Sequence, residues 1–182
     1  MSKLATTQVD FLEAGSGPLV VLVHCSASSA RQWRRVVDDL KADFHVRAVN
    51  LFGYGKTPPW SIEASQTLED QARLVETALP RNAAGVCLVG HSFGGSVAMK
   101  LAARLSGRVA RLVLLETNPF YLLKQSGRAD AFAEAMELRD CVKKFGAVGD
   151  WVMAGEQFAD YWGAQGHGRI CRRNGAALSL KR

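Results

Sequence analysis

The chain has 182 residues, 48% of them apolar and 22% charged, with a formal net charge of +6. That length holds one domain with a real hydrophobic core and is short for two, and the composition excludes a disordered chain and a collagen-like repeat. No run of about 18 apolar residues occurs, so no membrane span is expected; Met1 to Asp10 shows no basic segment leading into an apolar one, so no secretory signal is expected.

The positive charge is unevenly placed. From Gln165 onward the chain carries Arg169, Arg172, Arg173, Lys181 and Arg182 and no acid, and without this tail the net charge is +1. The basicity belongs to a tail and not to a face of a fold, so no nucleic-acid partner is expected. Cys25, Cys87, Cys141 and Cys171 are scattered, with no C-x-x-C pair and no metal-ligand spacing. Reduced thiols in the cytoplasm and no bound metal are expected.

In chain order the pattern alternates strand and helix. Gln8 to Ala14 reads as a strand, closed by a turn at Gly15-Ser16-Gly17-Pro18. Leu19 to His24 is a continuous apolar run, as in a parallel strand buried on both faces. Ser28 or Ser29 can cap a helix from about Ala30 to Lys41, with Trp33, Val36, Val37 and Leu40 on one stripe. Phe44 to Val49 is the next strand, and Leu51 to Trp60, with two glycines and two prolines, is a loop. Thr67-Leu68-Glu69-Asp70 has the form of an N-terminal capping box, and Pro80 closes the helix it opens. Gly85 to Val89 is a strand, Gly95 to Leu105 a helix and Val109 to Leu115 a strand.

This succession predicts an α/β fold with a doubly wound, mostly parallel sheet. After Glu116 the period changes. Phe132, Ala135, Leu138, Val142 and Phe145 recur at helical spacing, as do Trp151, Ala154, Phe158 and Tyr161, which predicts two or three helices from Pro119 to Trp162. The organisation expected is a core over residues 1–118, a helical segment over 119–163 and a basic irregular tail over 164–182.

Gly90-His91-Ser92-Phe93-Gly94 matches G-x-S-x-G between a buried strand and a helix rich in small residues. A serine on so sharp a turn is strained and exposes its hydroxyl, and the helix N-terminus behind it favours an oxyanion. With His24-Cys25-Ser26 after the second strand, and Asn50-Leu51-Phe52-Gly53-Tyr54-Gly55-Lys56-Thr57 after the third, the chain resembles the α/β-hydrolase fold family. Cys25 stands where that family usually has Gly, and Asn50 where it often has Asp.

The resemblance covers about Gln8 to Tyr161. It implies the first six strands of an eight-stranded fold, lacking the last two, and the start of a helical cap. It also implies hydrolysis of an ester or related bond without a cofactor, or acyl transfer on the same fold. Ser92 would be the nucleophile, the N–H groups of Ser26 and Phe93 the oxyanion hole, and His24 a support of the oxyanion loop. Glu116 ends its strand where some members place the triad acid. His167, in Gly-His-Gly, has the chain order of the base, but no strand pattern delivers it; His45 lies near the start of a strand and His91 directly precedes the nucleophile. Phe120, Tyr121, Phe132 and Trp151 suggest a small-molecule ester with an apolar or aromatic group. The alternative expectation is a non-catalytic remnant of such a hydrolase, its tail arising from a frameshift or truncation. A sheet without its last strands would also leave an apolar edge open to dimerisation.

Overall fold

A computed structural model describes residues 8–61 and 65–162. Five strands form one sheet: β1 (Phe11–Ala14), β2 (Leu19–Val23), β3 (His45–Val49), β4 (Val86–His91) and β5 (Val109–Leu115), in the order β1-β3-β2-β4-β5. β1 pairs antiparallel with β3, and all other pairs are parallel. The resemblance implied six strands; the described residues hold five, the same five stretches that carry strand periodicity in the sequence.

The sheet is covered on both sides, and the pleat of β2 explains how. Leu19, Val21 and Val23 pack in one cluster with Ala72 and Val75 of α2 (Leu68–Thr77) and Val97, Ala98 and Leu101 of α3 (Phe93–Arg104). Val20 and Leu22 point the other way, into a cluster with Ala30 and Trp33 of a 3₁₀ turn (Ala30–Trp33) and Val37 of α1 (Arg34–Leu40). A continuous apolar strand is what a doubly wound sheet requires at its centre. The single expected first helix is therefore two pieces. Ser29 caps the 3₁₀ turn by accepting from the Arg31 N–H, and the α-helix starts only at Arg34. At α2 the capping box forms as its sequence specifies: the Thr67 and Asp70 side chains each accept from the other's backbone N–H.

Glu13 on β1 is tied to β3, its Oε1 accepting from His45 Nε2 at 2.6 Å and Arg47 Nε at 2.7 Å. The His45 hydrogen bond, with the Arg47 charge, holds this carboxyl below its ordinary range. A depressed folded-state value stabilises the fold above the ordinary carboxylate pKa and is lost as pH falls through the folded one. Glu13→Gln should therefore cost roughly 0.5–1 kcal/mol at neutral pH, the scale of a partly exposed ion pair. Denaturant midpoints measured down to about pH 3 should show that difference vanishing.

At the other edge, β5 leaves Leu112, Val113, Leu114 and Leu115 between 38% and 42% exposed, the apolar edge on which pairing between copies was expected. Residues from Pro119 form a separate compact unit. Its helices are α4 (Tyr121–Gln125), α5 (Ala129–Ala147) and α6 (Trp151–Trp162). Among its described residues, Ala135, Leu138 and Cys141 of α5 and Ala154 of α6 are the buried side chains. The Tyr161 hydroxyl donates to Glu134 across the pair at 2.8 Å, and burial with that carboxylate pushes the phenol up to about 12. Trp151, on the stripe of helical spacing, is 72% exposed; it is the first residue of α6, its ring over Gly146 in the last turn of α5. No helix among the described residues is long and apolar enough to cross a membrane.

Candidate active site

Between β4 and α3 stands a single residue, Ser92, at φ 53° and ψ −118°. An L-residue occupies that region only when its surroundings force it. Here the Ser92 N–H donates to Leu115 O of β5 at 2.9 Å, and its carbonyl accepts from Gly95 N–H at 2.9 Å and Ser96 N–H at 3.3 Å. The glycines make the close approach possible. A Cβ on Gly90 would lie 2.5 Å from the Gly95 Cα, and one on Gly94 would strike the carbonyls of Val23 and His24. The start of α3 thus rests directly against β4 and the end of β2, two residues earlier than the expected helix start at Gly95. Phe93, first in the helix, has an N–H with no acceptor among the described residues.

The loop after β2 is built around His24, which is fully buried. Its Nδ1–H donates to Cys25 O at 2.7 Å and its Nε2 accepts from Leu51 N–H at 3.2 Å, so both ring nitrogens are used and the tautomer is set. Burial pushes its pKa down and keeps the ring neutral. Tyr54 packs edge-on against it at 4.7 Å and accepts from Ala27 N–H at 3.1 Å. The left-handed residue of this loop is Ala27, at φ 54°, and Cys25 is not among the positive-φ residues, so its side chain is accommodated where the family usually has Gly. The Cys25 N–H donates to Gln32 Oε1. Of the N–H groups at Cys25, Ser26 and Ala27, only that of Ser26 has no acceptor among the described residues.

Asn50 anchors the third motif. Its Oδ1 accepts from Ala30 N–H at 2.8 Å, and its Nδ2 donates to Asp10 Oδ2 at 2.8 Å. Asp10 also accepts from Lys56 N–H, and a Cβ on Gly55 would collide with both side chains. An amide here, where the family often has a carboxylate, is explained by Asp10: two carboxylates would otherwise face each other with no room to part. Asn50→Asp should force the pair to share one proton. One folded-state pKa is then raised, so stability is intact below the ordinary Asp value of about 3.9 and is lost as pH rises through the raised one. At about pH 8 the expected cost is about 3 kcal/mol, read as a denaturant midpoint that recovers on acidification.

The remaining expected residues are dispersed. Glu116 closes β5 at φ 46°, with its side chain 90% exposed, and its nearest cation-forming neighbour is His91, at 3.8 Å. His91 Nδ1 lies 3.0 Å from Gln32 Nε2, and His45 is bound to Glu13. His167 lies outside the described residues, as does Cys171. Cys25 and Cys87 are free thiols, that of Cys87 pushed up by burial. Among the described residues no group of three His, Cys, Asp or Glu could hold a metal.

Residues 18–156 match the family model of the alpha/beta hydrolase fold. The chain belongs to the α/β-hydrolase fold family. Its relatives are esterases and lipases. This α/β-hydrolase chain is 37% identical over 106 residues to the pimeloyl-[acyl-carrier protein] methyl ester esterase of Vibrio atlanticus, covering 58% of its own length and 39% of that protein. With the lipase LipV of Mycobacterium tuberculosis it shares 39% identity over 105 residues, covering 56% and 38%. It thus spans about two fifths of the length of the curated relatives it matches. A solved esterase from Thermogutta terrifontis aligns at a TM-score of 0.55 with 28% identity, over 60% of this chain and 40% of that one. An epoxide hydrolase from Bacillus megaterium aligns at 0.66 over 86% and 60%, but at 17% identity it speaks for the fold alone.

Two residues that shape this site, Gln32 and Tyr54, were not singled out by sequence. Tyr54 sits between two glycines of a recognised motif and had that signal. Gln32 had none: its partners Cys25 and His91 stand 7 and 59 residues away.

Proposed function

We propose that this chain carries the nucleophile of a serine hydrolase that cleaves a carboxylic ester through an acyl-enzyme at Ser92. The observation that carries the reading is the forced left-handed turn at Ser92, set at the N-terminus of α3. Ser92 Oγ attacks the ester carbonyl carbon, forming a C–O bond and passing its proton to a base. The tetrahedral oxyanion is met by the Ser26 and Phe93 N–H groups, neither of which has an acceptor among the described residues. Collapse breaks the bond to the alcohol, which leaves with a proton, and water then releases the acid. An acyl acceptor other than water would make the same site a transferase.

His24 serves this reading as loop support and not as the base, since both its nitrogens are engaged. By chain order alone Glu116 is the candidate acid and His167 the candidate base; with no strand pattern to hold His167, slow turnover is expected. The relatives' names support an ester substrate, and the aromatic residues of 119–162 support an apolar or aromatic acyl group. Free thiols at Cys25 and Cys87 support a reducing, cytoplasmic setting. The test is covalent labelling by a fluorophosphonate, mapped to its residue by mass spectrometry.

A second reading, of a chain that keeps the fold but does not turn over substrate, is favoured by one observation: each histidine among the described residues is already committed to a partner.

A further inference from the structure

Gln32 lies in the 3₁₀ turn ahead of α1, outside every motif. Its amide spans from the loop after β2 to the turn after β4. Oε1 accepts from the Cys25 N–H at 3.2 Å, and Nε2 lies 3.0 Å from His91 Nδ1. The chemistry of the partners orients the amide. A backbone N–H only donates, so the oxygen faces Cys25 and the nitrogen faces His91. Nε2 in turn only donates, so His91 Nδ1 is the acceptor and its ring proton sits on Nε2, the atom 3.8 Å from Glu116 Oε2.

Cys25 directly precedes Ser26, and His91 directly precedes Ser92. One side chain therefore ties the neighbour of the proposed oxyanion donor to the neighbour of the proposed nucleophile. The Cys25 carbonyl is held from the other side by His24 Nδ1–H, and the Ala27 N–H by Tyr54. With those groups fixed, the Ser26 N–H is the one left to point at a ligand.

The geometry points to Gln32 as a positioning residue that sets the Ser26 N–H relative to Ser92; this rests on the serine-hydrolase reading. Gln32 touches no reacting atom. It acts by fixing the distance between donor and nucleophile, which oxyanion stabilisation depends on steeply.

Gln32→Leu keeps the bulk and removes both hydrogen bonds. The second-order rate of fluorophosphonate labelling at Ser92 should fall about tenfold to a hundredfold, somewhat less than the loss of an oxyanion donor outright. The melting temperature should stay within about 4 °C. Gln32→Glu should restore labelling, since a carboxylate accepts from both the Cys25 N–H and a His91 Nδ1–H. His91→Asn should also retain it, its Oδ1 replacing Nδ1 as acceptor, whereas His91→Leu should lose as much as Gln32→Leu and the double variant no more.

Hydrogen exchange at the Cys25 amide reads the tie without any chemistry at Ser92, and Gln32→Leu should speed it. Unchanged labelling, unchanged Cys25 exchange, or labelling that falls only in step with melting temperature and is not restored by Gln32→Glu would each overturn the proposal. If the unaltered chain is never labelled at Ser92 while Cys25 exchange still responds, the tie is real but positions nothing reactive. The proposal then falls with the hydrolase reading, and the exchange data show which of the two failed.

Discussion

A fluorophosphonate probe should label Ser92, and Ser92→Ala should abolish the labelling. In that reaction Oγ bonds to phosphorus, fluoride leaves, and the phosphoryl oxygen gathers negative charge where an ester oxyanion would. The site meets that charge with the unpaired N–H groups of Ser26 and Phe93 and with the positive end of a 12-residue helix. Alanine at this position is a clean control. It tolerates φ 53° no better and no worse than serine, so the fold is retained while the nucleophile is removed. Glycine is the informative complement. Ser92→Gly should also abolish labelling, yet raise stability by about 1 kcal/mol, because the left-handed strain at this turn is then relieved. Labelling that survives in Ser92→Ala would place the reactive serine elsewhere and remove the basis of the functional reading.

What could be read from sequence was what local sterics dictate. The run Leu19–Val23 has no polar side to offer solvent, so it could only be a strand covered on both faces. The turn at Ser92 was legible because glycine at 90 and 94 leaves no alternative reading for a strand meeting a helix at such close range. The helix start was misplaced by two residues for a related reason. Phe93 and Gly94 enter the helix because contacts of α3 with β2 and β4 outweigh the poor helix propensity of a glycine pair. Pairings between distant residues were not legible. Asn50 meets Asp10 across 40 residues and Gln32 meets His91 across 59, and no spacing rule predicts either. The exposure of Trp151 was equally out of reach, since helical period marks a stripe but not which end of it leaves the packed face.

Turnover separates a formed nucleophile from a working enzyme, and here slow turnover is expected. A positioned base contributes on the order of 10²–10⁴ in rate. His24 gives both nitrogens to the loop, His45 is bonded to Glu13, and His91 accepts from Gln32 with its other nitrogen turned toward Glu116. None can take the Ser92 proton without breaking a contact that shapes the fold or the site. His167 has the chain order of a base, but its surroundings, Gln165-Gly166-His167-Gly168-Arg169, carry no strand pattern that would hold the ring within hydrogen-bond reach. The chain should therefore hydrolyse an activated ester only at the residual level that an oxyanion hole and binding supply, ~10³–10⁴ over water at most. His167→Ala should leave that rate unchanged, and Ser92→Ala should remove it. The opposite result is easily recognised: efficient hydrolysis that falls as pH drops through the histidine range near ~6.5 and disappears in His167→Ala. That outcome would make the segment around His167 a catalytic element, and the reading without turnover would have to be given up.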